Sequence, residues 1–189
     1  MTDEVKCPPA CSQTVGPYFR IGLEYLIDRT PEVQDARVQT IKIYGRVLDR
    51  DGAPVPDAML EFWAGDHDAA VPSSVDKQRG FPMGFRRVAT DEDGQFVVAT
   101  RMPSAATDVD GKMHAPHMLV LVFARGLLRH LISRVYFEGE QDNADDLVLQ
   151  RVPAERRKTL IAERDPERVG AYRWNVVLQG ENETVFFAW

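Results

Sequence analysis

The side chains able to hold a metal or shuttle a proton near neutral pH are few, with four histidines and two cysteines among 189 residues. Two of the histidines stand close together, in His114-Ala115-Pro116-His117, at the head of an apolar run. Side chains two apart on a strand share a face, so a His-x-His pair can grip a metal from one side of a sheet. Here the position two beyond His117 is Leu119, and that pair lacks its second member. His114 and His117 are three apart; on one extended strand they face opposite ways and make a poor chelating pair. His117 alone reads as a packed, hydrogen-bonded histidine. His67 and His130 carry no motif, and Met113 and Met118 read as packing residues.

Other candidates for chemistry are weaker. Cys7 and Cys11 form C-x-x-x-C with no second pair and no neighbouring histidine, so free thiols in a surface arm are expected rather than a zinc site. The segments Asp91-Glu92-Asp93-Gly94 and Asp108-Val109-Asp110-Gly111 lack the downstream glutamate of a calcium loop and read as turns. A net charge of -6 argues against a surface for duplex nucleic acid, which needs clustered Lys and Arg. No run approaches the ~18 apolar residues that cross a bilayer, and Met1 to Gln13 lacks the apolar core of a secretory signal. Asn182-Glu183-Thr184 fits a glycosylation pattern, but nothing else suggests secretion. A soluble, cytoplasmic chain is expected.

The elements that must position these residues follow from periodicity. One domain over 1–189 is expected, with 1–40 as an N-terminal arm and extended segment and 41–189 as the core. His117 to Phe123, a turn at Ala124-Arg125-Gly126, and His130 to Phe137 read as a central hairpin. Ile41, Ile43, Gly45 and Val47 alternate with Lys42, Tyr44, Arg46 and Leu48 as a half-buried strand, and Asp49-Arg50-Asp51-Gly52 turns the chain. Ala58, Leu60 and Phe62 give the next strand, followed by a long irregular stretch from Ala64 to Phe85. Arg86–Thr90 and Gln95–Thr100 read as a second hairpin across the Asp91 turn. Pro153 to Ile161 is the one expected helix, stopped by Asp165-Pro166. Tyr172, Trp174, Val176 and Leu178 mark a late strand, and the apolar tail from Glu183 to Trp189 must pair or pack. Many short strands with turns between them indicate an all-β, antiparallel β-sandwich with one short helix near the C-terminus and long loops.

Several segments carry a more specific likeness: Ser12 to Tyr18 with Ile21-Gly22-Leu23, Gly45 to Asp57 leading into Leu60-Glu61-Phe62-Trp63, Thr90 to Phe96, Ala115-Pro116-His117, Phe123 to Gly126, Tyr136-Phe137 and Glu183 to Phe187. Together they resemble the intradiol ring-cleaving dioxygenases, most closely the alpha-type subunits of the protocatechuate 3,4-dioxygenases. The resemblance implies a ferric site in a homologous iron-binding beta partner, held by two tyrosinates, two histidines and a hydroxide, with a catecholic acid and O2 as substrates. A hard trivalent ion suits anionic oxygen donors, and a catechol chelates it as a dianion.

This chain departs from that ligand set. No tyrosine lies between Tyr44 and Tyr136, the interval where both family tyrosines should fall, and the K-P-G-x-Y type motif reads Arg101-Met102-Pro103-Ser104-Ala105. With Leu119 in place of the second histidine, three of four protein ligands are gone, His117 marks a vestigial site, and no metal is expected in this chain. The resemblance implies a hetero-oligomer in which Thr14, Gly16, Pro17 and Tyr18 form a substrate-binding wall of the partner's cleft. It also implies that Arg125 brings fixed positive charge to an anionic substrate there. Two rivals stand beside it: a non-catalytic β-sandwich binding module, and a stand-alone catechol dioxygenase with altered ligands.

Overall fold

The computed structural model describes residues 22, 40–64, 84–107 and 110–188. Eleven strands are found among them: β1 Thr40–Leu48, β2 Met59–Ala64, β3 Phe85–Ala89, β4 Gln95–Arg101, β5 Ala106–Thr107, β6 Met113–His114, β7 His117–Phe123, β8 Leu131–Phe137, β9 Ile161–Arg164, β10 Ala171–Arg173 and β11 Val176–Val177. Two short helices, α1 Leu147–Arg151 and α2 Ala154–Arg157, lie between β8 and β9 with 3-10 turns at Gln141–Ala144 and Lys158–Leu160.

The expected all-β class holds, but the antiparallel sandwich does not describe the pairing. One mixed sheet runs β4-β1-β10-β9-β8-β7-β2-β3, with β11 further along β1, and β5 pairs with β6 separately. The β1/β10, β1/β11 and β8/β9 pairs are parallel. The sheet curls until its two outer strands, β3 and β4, are joined by the Asp91–Gly94 turn, so it is nearly closed.

That join corrects the second expected hairpin. The turn itself forms, with the Asp91 carboxylate accepting from the N–H groups of Asp93 and Gln95. Beyond it the strands part: β3 pairs with β2 and β4 pairs with β1. Local turn chemistry specifies the reversal, whereas the ladder partners come from distant chain.

The β7–β8 hairpin forms as expected, registered from His117 opposite Tyr136 to Val122 opposite Leu131. Along β7 the inward Met118, Val120 and Val122 are fully buried, while His117, Leu119, Leu121 and Phe123 share the outer face. The enclosed core gathers Ile43, Phe62, Phe96, Val120, Phe137 and Trp174, among others. A second, smaller cluster lies over the outer face of β8, where Tyr136 packs with Ala115, Leu149, Val152 and Leu160. β8 is thus covered on both sides near its end, and its burial does not alternate there. β2 loses alternation too, because Glu61 on its outer face is buried and pairs with Arg87.

The single expected helix over Pro153–Ile161 is instead one turn of α-helix running into a 3-10 turn, and Ile161 opens β9 well before Asp165-Pro166. Helix α1 was not anticipated. Its signal is Asp146, whose side chain accepts from the N–H groups of Val148 and Leu149 as an N-cap. The expected late strand is split at Trp174-Asn175. A Cβ on Gly45 would stand 1.7 Å from the Trp174 carbonyl oxygen, so only glycine admits this approach. The Arg46 N–H donates to the Asn175 side chain at the break. The apolar tail packs as anticipated: Val185 and Phe187 lie on the second cluster, and the Phe187 N–H donates to the Ile132 carbonyl. Among the described residues no helix is long and apolar enough to cross a membrane.

Candidate functional site

The two ends of β7 carry the side chains of interest. At its start, β6 ends at His114, the chain bends through Ala115-Pro116, and β7 begins at His117. The expectation that the two histidines face apart fails for this reason: they do not lie on one extended strand. Their rings meet edge to face with centroids 5.9 Å apart.

Asp146 organises this end. Its fully buried carboxylate caps α1, accepts the Ala115 N–H at 3.0 Å and the Tyr136 hydroxyl at 3.0 Å, and stands 3.4 Å from His114 Nδ1. Burial works to raise its pKa, but the N–H donors of Leu149 and Ala115 and the Tyr136 hydroxyl outweigh it and hold the carboxyl below its ordinary range. Tyr136 is displaced upward, chiefly by burial, and remains a protonated phenol. The His117 ring lies over Tyr136 with centroids 5.5 Å apart. Its Nδ1 is 2.7 Å from the Ala115 carbonyl. A carbonyl only accepts, so Nδ1 carries the proton and Nε2 a lone pair. Burial pushes the imidazole down to about 4, with the Arg134 guanidinium adding to the depression.

These residues do not fit a ferric centre. Tyr136 would have to lose the proton it gives to Asp146, and Leu119, next on the His117 face, has no donor atom. Arg134 stands opposite Leu119 in the ladder and adds positive charge where a cation would bind. The segment after β4, from Met102 to Ala105, contains no tyrosine. No group of three or more His, Cys, Asp or Glu among the described residues is placed to hold a metal ion.

At the far end of β7, Arg125 sits in the turn that Gly126 closes with φ +86°. More than half of its side chain is exposed, and Nη2 lies 3.4 Å from Asp57 Oδ2. Arg125 and His117 are not brought together: with ~3.3 Å per strand residue they stand more than about 20 Å apart. Thr14, Gly16, Pro17 and Tyr18 lie outside the described residues, as do Cys7, Cys11, His67, Asp108 and Val109. Asp57 and Asp146 are the site residues that sequence reasoning missed. The ladder register reveals the first, since Met59 pairs with Phe123 and two further steps on each strand bring Asp57 opposite Arg125.

Comparison with known proteins identifies the family. A family model described as Dioxygenase matches residues 16–180. The chain is 45% identical to the protocatechuate 3,4-dioxygenase alpha chain of Burkholderia cepacia, over 93% of this chain and 95% of that one. It is 27% identical to the beta chain from the same organism, over 77% of this chain and 67% of the relative. Among solved structures, 3-chlorocatechol 1,2-dioxygenase of Rhodococcus opacus superposes with a TM-score of 0.60 at 21% identity, covering 78% of this chain and 62% of the other. With a matching family model over most of its length and a near-full-length relative, this chain belongs to the intradiol ring-cleaving dioxygenase family.

Proposed function

We propose that the chain is the iron-free, alpha-type subunit of a cytoplasmic protocatechuate 3,4-dioxygenase. In this reading it supports cleavage of protocatechuate by O2 to 3-carboxy-cis,cis-muconate at the ferric site of a homologous beta subunit, and it is inactive alone. The observation that carries the reading is a pairing of two facts. The chain is far more similar to an alpha chain than to the beta chain of the same organism, and its own His117 face offers one imidazole beside Leu119 and Arg134.

Within the assembly, Thr14, Gly16, Pro17 and Tyr18 would wall the partner's cleft, and Arg125 would supply positive charge to the substrate carboxylate. Arginine stays protonated at any working pH, so its role is electrostatic and steric, without proton transfer. The exposure of Arg125 at a hairpin tip supports this assignment.

Oxygen uptake with protocatechuate, iron content and visible absorbance test the reading, measured for the chain alone and co-expressed with its candidate beta partner. The lone chain is expected to be colourless, iron-free and inactive, and the pair coloured and active. Turnover by the lone chain would overturn the proposal, as would inactivity of both samples.

A further inference from the structure

We infer that Asp57 is the positioning residue for Arg125, fixing where the guanidinium stands relative to the substrate; this rests on the reading of Arg125 given above. The argument begins with the backbone. Asp57 is the one non-glycine residue with positive φ, +63°, among the described residues. That region disfavours side chains other than Asn and Asp, and such conformations persist where the surroundings enforce them and tend to mark functional positions.

The surroundings do enforce it. The buried Thr90 hydroxyl donates to the Val55 carbonyl at 2.9 Å and accepts the Ala58 N–H at 2.9 Å, clamping the turn on both sides of Asp57. From this clamp the Asp57 carboxylate reaches across the end of the β2–β7 ladder to Arg125. A pair this exposed adds little to stability, so its contribution lies in the place it gives the charge. Five donors in a rigid fork make a guanidinium directional, and an untethered one samples many rotamers.

The test uses the assembled hetero-oligomer. Asp57→Asn keeps the left-handed backbone and removes the charge. It should raise KM for protocatechuate three- to tenfold with kcat within twofold, and Asp57→Glu should recover part of the loss. In an Arg125→Ala background, Asp57→Asn should have no further effect. Competitive inhibition by 4-hydroxybenzoate should weaken, while inhibition by neutral phenol stays unchanged; a merely structural role would move both. Should Asp57→Asn fail to assemble, Asp57→Gly, which also accepts positive φ, carries the same comparison.

An unchanged KM for Asp57→Asn, or an equal effect in both backgrounds, overturns the inference. If Arg125→Ala raises KM while Asp57→Asn does not, only the role of Asp57 falls. If Arg125→Ala changes nothing, the role of Arg125 and this inference fall together.

Discussion

The two ends of β7 hold polar side chains in opposite ways. Around His117, hydrogen bonds run inward: Tyr136 to Asp146, Ala115 to Asp146, His117 to Ala115. At the other end Arg125 is largely in solvent, steadied by a half-exposed carboxylate. The start of β7 is a structural joint tying β6, β8 and α1 together. The hairpin tip retains a charge directed outward. A carboxylate and a phenol already engaged with each other have little left to offer a ligand, whereas an exposed, tethered cation is available to one.

The comparison predicts unequal sensitivities. Asp146→Ala removes a helix cap and strands the Tyr136 hydroxyl and the Ala115 N–H in a buried site, for a loss of about 3 kcal/mol. The thermal midpoint should fall by roughly 10 °C, given ~2–4 °C per kcal/mol for a chain of this size. A loss under ~1 kcal/mol would show that this end is not the joint described.

His117 gives an intermediate effect with a definite sign. Its imidazole titrates near 4 in the folded chain, below the ordinary 6.5, so the unfolded chain binds the extra proton first. Its contribution is therefore complete above pH 6.5 and is lost progressively as pH falls from 6.5 towards 4. Denaturant melts of the wild type and His117→Asn across that window should show a steeper decline for the wild type. Parallel curves would contradict the depressed value. Smallest is the effect of Arg125→Ala on stability, expected within ~0.5 kcal/mol by the same melts, because the pair is exposed. A larger loss would mean that the tip, too, is a structural joint.

Legibility in the sequence followed how many faces of each element are buried. β1 has one face in the core and is readable from alternation, whereas β7 reads only as an unbroken apolar run although its burial alternates. β2 and the end of β8 are covered on both faces, one by the Glu61–Arg87 pair and the other by the second cluster, and no alternation marks that covering. The Asp91 turn was legible and its strand partners were not, since turn type is local and pairing is not. For the site, Leu119 in place of a histidine was visible at once. The bend at Ala115-Pro116 breaks the strand period, so the proximity of His114 and His117 is not legible from their spacing. Asp57 needed the register between two strands, which the linear order hides.

The parallel pairing of β1 with β10 sets a schedule for synthesis. Lys42 registers with Ala171, so the first described strand waits for almost the last one before the sheet can close. Contacts this far apart in sequence are slow to form, and at ~5–20 residues per second most of the chain emerges before they exist. Until then β1 can satisfy its backbone only on the β4 side, and its other edge is open to wrong partners. Yield of the folded chain should therefore depend on how promptly translation delivers the segment around Ala171.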